Sequence, residues 1–207
     1  MRKIIIAGLE KEVIELAESL PDVVILGVLD PQSDVDTLGF PYLGNDDSWE
    51  KVKRLYSDAR IAISLDTPSL KQRLVGYFGV ETLASLVSAN SHTSSRAVLA
   101  AGHIVQHGAR ISPRVSIGIA CKINTDAVVH HDCVIGNFCT LAPGSRLLGQ
   151  VSLGDLVFVG AGAIVLPKVS IGSNCTIGSG AVVVKDVPDD CTVVGVPAYP
   201  IQARRSL

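Results

Sequence analysis

The run Val159-Gly160-Ala161-Gly162-Ala163-Ile164-Val165-Leu166-Pro167-Lys168-Val169-Ser170-Ile171-Gly172-Ser173-Asn174-Cys175-Thr176-Ile177-Gly178 decides the fold. Cut in sixes from Val159, it places an aliphatic residue at Val159, Val165, Ile171 and Ile177, and a small one at Ala163, Val169 and Cys175. The register extends back to Val87 and forward to Pro188 without an insertion. Of the seventeen first positions only Thr93 is not aliphatic, and of the seventeen fifth positions only His103 is not small. A large and a small residue every six suit a three-sided parallel β-helix. Each hexad forms one flat side, the aliphatic side chain fills the prism, and the small residue lets the chain turn at a corner. Three hexads make a coil of 18 residues, and coils stack at roughly the 4.8 Å spacing of sheet strands. Val87, Val105, Ile123, Leu141, Val159 and Ile177 then form one internal ladder.

This repeat accounts for an unusual composition. The 207 residues combine a mean hydropathy of +0.39 with 4% aromatics and 18% charged residues. A narrow prism has little room for rings, and six of the nine aromatics fall between Phe40 and Phe78, outside it. The longest apolar stretch, Leu156 to Pro167, is about 12 residues, short of the ~20 that a membrane-spanning helix needs. Glu10, Lys11 and Glu12 interrupt any apolar leader, so a soluble, cytoplasmic chain is expected. The five cysteines form no C-x-x-C pair. Cys121, Cys133, Cys139 and Cys175 fall on small inward positions, which predicts buried thiols rather than disulfides or zinc ligands.

Residues 1–86 read differently. Short apolar strands at Lys3–Gly8, Val23–Asp30 and Arg60–Ser64 alternate with helical patterns at Lys11–Leu20, Asp47–Tyr56 and Pro68–Tyr77. That βαβαβα order predicts a small parallel sheet of Rossmann type. Division near residue 84 gives an α/β domain at 1–84 and a β-helix at 85–207. Beyond Pro188 the segment Val194-Gly195-Val196-Pro197-Ala198 leaves the register and is expected to cap the open end of the solenoid. The first 86 residues carry 9 basic and 14 acidic side chains, the remainder 9 and 6, so the solenoid is the basic part.

Several runs carry a family resemblance over nearly the whole chain. They are Gly39-Phe40-Pro41-Tyr42-Leu43-Gly44-Asn45-Asp46-Asp47; Asn124-Thr125 followed by Val129-His130-His131-Asp132-Cys133-Val134-Ile135-Gly136; Gly180-Ala181-Val182-Val183-Val184-Lys185-Asp186-Val187-Pro188; and Val194–Ala198. Together they resemble the hexapeptide acyltransferases, and more narrowly the bacterial sugar acetyltransferases of the sialic-acid O-acetyltransferase (NeuD) type. That group includes N-acetyltransferases acting on nucleotide-linked amino sugars. The resemblance implies a left-handed β-helix that assembles as a homotrimer, binds acetyl-CoA between neighbouring prisms, needs no metal, and takes its acceptor on the α/β domain. It implies His131 as base with Asp132 beside it and Asn124 nearby, and the Gly149 N–H as oxyanion donor.

The spacing agrees, because Gly149 follows His131 by 18 residues and so sits one coil above it on the same corner. Pro167 and Lys185 continue that column, a path for the pantetheine arm; Lys185, or Arg204 and Arg205, can meet CoA phosphates. His130 is a substrate-side candidate. His103, in an inward slot, is expected to be a hydrogen-bonded core residue, and His92 and His107 to lie at the surface. Thr140 stands near the place where some members carry a second histidine. The first turn, Gly8-Leu9-Glu10-Lys11-Glu12, lacks the extra glycines and the histidine of the family's phosphate-binding turn and substitutes acidic residues. Asp30 and Asp66 remain at strand ends as acceptor ligands. Three further readings stand beside an N-acetyltransferase: a sugar O-acetyltransferase, a metal-dependent γ-carbonic-anhydrase-like protein, and a non-catalytic solenoid.

Overall fold

A computed structural model of the chain describes residues 1–32 and 36–201. The α/β part runs β1 (Arg2–Ala7), α1 (Lys11–Glu18), β2 (Val23–Leu29), β3 (Tyr42–Gly44), α2 (Trp49–Leu55), β4 (Arg60–Ile63) and α3 (Pro68–Phe78). Its sheet is parallel throughout, in the order β3-β2-β1-β4. Central β1 is covered on both faces, with Ile4, Ile5, Ile6 and Ala7 fully buried, which is why it reads as an unbroken apolar run. The sequence pattern predicts three strands and misses β3. Three residues bounded by Pro41 and Gly44 are too few to show a period, and no helix announces the crossover from β2.

From Leu86–Val87 onward the chain coils into a left-handed parallel β-helix of two-residue strands, stacked into three sheets of five, six and eight strands. Partners lie 18 residues apart, as in Ser116↔Val134, Lys122↔Thr140 and Val128↔Arg146. First-position aliphatics and fifth-position small residues form one continuous buried core. Each coil turns its corners through left-handed backbone. At one corner the residues are Arg114, Asp132, Gln150 and Lys168, with φ between 61° and 65°. Inward cysteines point a thiol at a carbonyl in the next coil: Cys121 donates to Gly136 O, Cys133 to Leu148 O and Cys139 to Gly154 O, each at 3.1 Å.

The six-residue register, legible in sequence to Pro188, is broken by the fold after Val183. Val187 pairs with Ile171 and Thr192 with Thr176, each 16 residues apart, so the last corner is two residues short. Val187 thereby moves from a corner position to a strand position. Cys175 correspondingly donates to Pro188 O, 13 residues on rather than 15. Thr192–Val194 then folds back antiparallel onto Tyr199–Ile201, which covers the edge of the eight-stranded sheet. Among the described residues no helix is long and apolar enough to cross a membrane.

The α/β part docks on the lower coils of the eight-stranded face. Leu86 and Ile104 join the core beneath α1, while Ala120 joins Trp49, Leu74 and Phe78 beneath α2 and α3. Between these apolar contacts lies a polar seam. The Lys71 ammonium, fully buried, donates to Cys139 O at 2.8 Å and Thr140 Oγ1 at 2.7 Å, and the Thr140 hydroxyl donates to Asp66 O at 2.6 Å. Lys122 Nζ donates to Ser64 O at 2.9 Å and pairs with Asp66 Oδ1 at 3.1 Å. Burial holds the Lys71 ammonium down from 10.5 to about 8.

Candidate active site

The corner that follows strand Val128–Val129 carries His131 and Asp132. Adjacent residues of a straight strand point to opposite faces. Here the left-handed φ of 61° at Asp132 swings its carboxylate back onto the preceding ring. His131 Nδ1 lies 2.7 Å from Asp132 Oδ2. An ionised carboxylate only accepts, so Nδ1 carries the proton and Nε2 presents a lone pair. One coil below, at the equivalent corner position, Arg114 clamps the same carboxylate in bidentate fashion, with Nε 2.6 Å from Oδ1 and Nη2 2.8 Å from Oδ2. These hydrogen bonds, Arg114's first and His131's second, hold the Asp132 carboxyl below the usual carboxylate range. Sequence reading missed Arg114, although its place 18 residues before Asp132 was the available signal.

Gly149 stands directly over the imidazole. A Cβ on it would lie 2.8 Å from both Cε1 and Nε2 of His131, so only glycine leaves the ring where it is. Neighbouring amides are engaged: Leu148 N–H donates to Val165 O and Gln150 N–H to His131 O, each at 3.0 Å. Among the described residues the Gly149 N–H has no backbone acceptor. The column explains this, since two of its members, Pro113 and Pro167, have no N–H at all. Coil stacking does not use the amide at this position, and it faces outward beside Nε2.

The other candidates divide. His130 is half-buried and precedes the corner, and Pro167 lies one coil above Gly149. Lys185 is exposed on the shortened last corner, so it enters the column without the regular coil expected around it. Arg204 and Arg205 lie outside the described residues. Asn124 is not close to His131 within the chain. It sits on a different corner, a full prism side away, where its Nδ2 donates to Asp66 Oδ1 at 2.9 Å. Asp66 is therefore part of the seam between the two parts. Asp30 is buried at the end of β2 and accepts from Gln32 N at 2.9 Å. Beside it Asp46, Asn45, Arg73 and Tyr77 line a cavity of about 400 Å³. Burial raises the Asp46 carboxyl there, as it raises Glu10 near Asp66. Thr140 is fully buried under Lys71. His103 is hydrogen-bonded to Ala100 O at 2.7 Å as expected, whereas His107 is not a free surface residue but half-buried against Ser88 Oγ at 2.8 Å. Among the described residues no group of three or more His, Cys, Asp or Glu converges to hold a metal ion.

Residues 114–149 and 150–185 match the bacterial transferase hexapeptide (six repeats) family. The fold as a whole is similar to that of PerB from Caulobacter crescentus, solved in complex with CoA and GDP-perosamine. That structure is 32% identical, with 97% of each chain covered and a TM-score of 0.89. The chain belongs to the hexapeptide-repeat acyltransferases. Within that family it is also similar to the acetyltransferase domain of PglB from Neisseria gonorrhoeae, solved with acetyl coenzyme A, at 25% identity, 97% and 99% coverage and a TM-score of 0.85. Over 112 residues it is 34% identical to an acyl-(acyl-carrier-protein)–UDP-N-acetylglucosamine O-acyltransferase of Helicobacter pylori. The match takes in 51% of this chain and 42% of that relative.

Proposed function

We propose that this acyltransferase moves an acetyl group from acetyl-CoA to the amine of a nucleotide-linked amino sugar. The single observation that carries the reading is the joint placement of a basic Nε2 and an unengaged N–H, on His131 and Gly149, at one outward corner. In the proposed step the acceptor amine attacks the thioester carbon, and its proton passes to Nε2 while Asp132 supports the charge on the ring. The oxyanion takes the Gly149 N–H. Collapse breaks the C–S bond, and the proton on Nε2 leaves with the CoA thiolate, which returns the imidazole to neutrality. The base then needs only the tautomer that Asp132 and Arg114 already impose.

Pro167 and Lys185 continue the column along which the pantetheine arm is proposed to run. The α/β part, residues 1–84, is proposed to serve the acceptor, with Asp66 and Asn124 at the seam, Asp30 beside the adjoining cavity and His130 on the substrate side. A homotrimer supplies the second wall of the groove and lets the Asn124 corner of one copy approach the His131 corner of the next. The similarity to PerB, solved with CoA and GDP-perosamine, supports both the donor and the acceptor class. A sugar hydroxyl is the second reading, favoured by the match to an O-acyltransferase.

The test is steady-state thiol release from acetyl-CoA with a panel of nucleotide-linked amino sugars. Replacement of His131 by Ala is expected to lower kcat by about 10²- to 10⁴-fold with folding and assembly intact. Wild-type turnover in that variant would refute the assignment.

A further inference from the structure

We infer that a cationic groove on the six-stranded face of the β-helix, rather than the crevice of the α/β sheet, seats the diphosphate of the acceptor. This rests on the reading that the acceptor carries one. The groove has a volume of about 650 Å³ and is lined by Asn90, His92, Arg110, Asp126, Val128 and Arg146, among others. Arg110 and Arg146 both stand in register with Val128, one coil below it and one above. Their guanidiniums thus rise from strands about 10 Å apart with a flat apolar floor between them. Both are exposed, and among the described residues neither enters an ion pair or a side-chain hydrogen bond. The one carboxylate in the lining, Asp126, is folded against Gly108. Two forked donors on a rigid ladder suit the oxygens of a diphosphate.

The sheet crevice has the opposite character. At the carboxyl ends of its strands stand Glu10, Asp30, Asp46, Asp47 and Asp66, and burial pushes the Glu10 and Asp46 carboxyls up. Glu10 itself takes the N-cap position of α1, where a phosphate would otherwise meet the helix amides. Of the two cations there, Lys122 is spent on Ser64 O and Asp66, and Arg73 lies 3.8 Å from Asp46. A polyanion is repelled from this edge.

The geometry also connects the groove to the reacting corner. Alternate residues of a strand share a face, so Val128 and His130 point outward together, and His131 follows at the corner. From Val128 to His131 is three residues, about 10 Å of extended chain. A diphosphate on Arg110 and Arg146 lays the attached sugar across Val128 and His130 and brings its amine to Nε2. His130 then contacts the sugar, a specificity-determining position.

The experiment uses the full chain with Arg110→Gln and Arg146→Gln combined, and the exposed α2 pair Lys51→Gln and Arg54→Gln as a charge control. Calorimetry with inorganic pyrophosphate reads the groove without turnover. Kinetics read KM for acceptor and for acetyl-CoA separately. The expected result is a loss of pyrophosphate affinity of about 10-fold or more and a matching rise in acceptor KM. Acetyl-CoA KM and kcat should stay within about two-fold, and the control pair and His131→Ala should bind pyrophosphate normally. Three outcomes overturn the inference: unchanged pyrophosphate binding in the arginine variant, equal loss in the control pair, or a change confined to acetyl-CoA KM, which would make the groove a CoA subsite. Failure of every nucleotide-linked sugar to turn over would refute the function proposed above, and the pyrophosphate titration would still decide the groove.

Discussion

At the scale of single residues, the site depends on one missing side chain. Gly149 has an ordinary backbone conformation, since its φ is not in the left-handed region, so alanine there strains nothing in the chain itself. Its methyl group would instead meet Cε1 and Nε2 of His131, 2.8 Å away. The ring is 60% exposed and free to swing outward, so the fold tolerates the change while the base leaves its position. Gly149→Ala is therefore expected to lower kcat by about 10-fold or more with an unchanged melting temperature. Because the effect acts through His131, it should nearly vanish when introduced into His131→Ala, which is the signature of coupled positions. Equal losses in the two backgrounds would show that Gly149 acts independently of the ring. Asp132 is expected to stay ionised throughout such an assay. Its carboxyl is held below the usual range, so the hydrogen bond to Nδ1 is lost only as pH falls through that depressed value.

At the scale of elements, the strands are two residues long and gain their stability by stacking rather than by individual length. Leu147, fully buried, lies in the ladder with Ile111, Val129 and Val165 and anchors the strand that leads to Gly149. Leu147→Ala removes three carbons from a closed core and is expected to cost about 2–5 kcal/mol. Val98→Ala, on an exposed face, is expected to cost under about 0.5 kcal/mol. Urea midpoints measure both, and similar values for the two would contradict the inward and outward assignment. The same period explains what was legible beforehand. A hexad fixes which residue points inward, so the ladder, the buried cysteines and the stacking of His131 under Gly149 all follow from counting. Counting fails where the chain departs from its period without a marker. The corner at Val184–Val187 is two residues short although Val187 still suits a hexad, and β3 is too brief to announce itself. Arg114 was equally countable but is an ordinary exposed cation until the carboxylate above it is known to need a partner.

At the scale of the whole molecule, the two parts meet through a seam that sequence does not foreshadow, because its lysines read as surface residues of α3 and of the solenoid. Lys71 is the largest of these departures. Its ammonium is buried with only Cys139 O and Thr140 Oγ1 as partners, and neither is a carboxylate. Unfolded, a lysine keeps its proton up to about 10.5, whereas in the fold burial lowers that value to about 8. Between the two values the unfolded chain binds more protons, so this group makes stability rise with pH across that window, and below it the full cost of the buried charge is present. The thiols of Cys133 and Cys175, pushed up by burial, act in the opposite sense near the same pH, so the prediction concerns a difference between proteins. Lys71→Met keeps the length of the side chain and removes the charge. Cys139 O retains the Lys122 N–H as donor, and Thr140 still donates to Asp66 O, so no buried acceptor is stranded. The variant is expected to match or exceed wild-type stability near neutral pH, as replacement of a buried charge by an apolar isostere often does. Wild type should then gain on it by about 1–2 kcal/mol between about pH 7.5 and 9.5. Urea denaturation at the two pH values measures this. A constant gap between the proteins would mean that the ammonium is solvated, and that the two parts are held together by the apolar contacts around Ile104 and Ala120 alone.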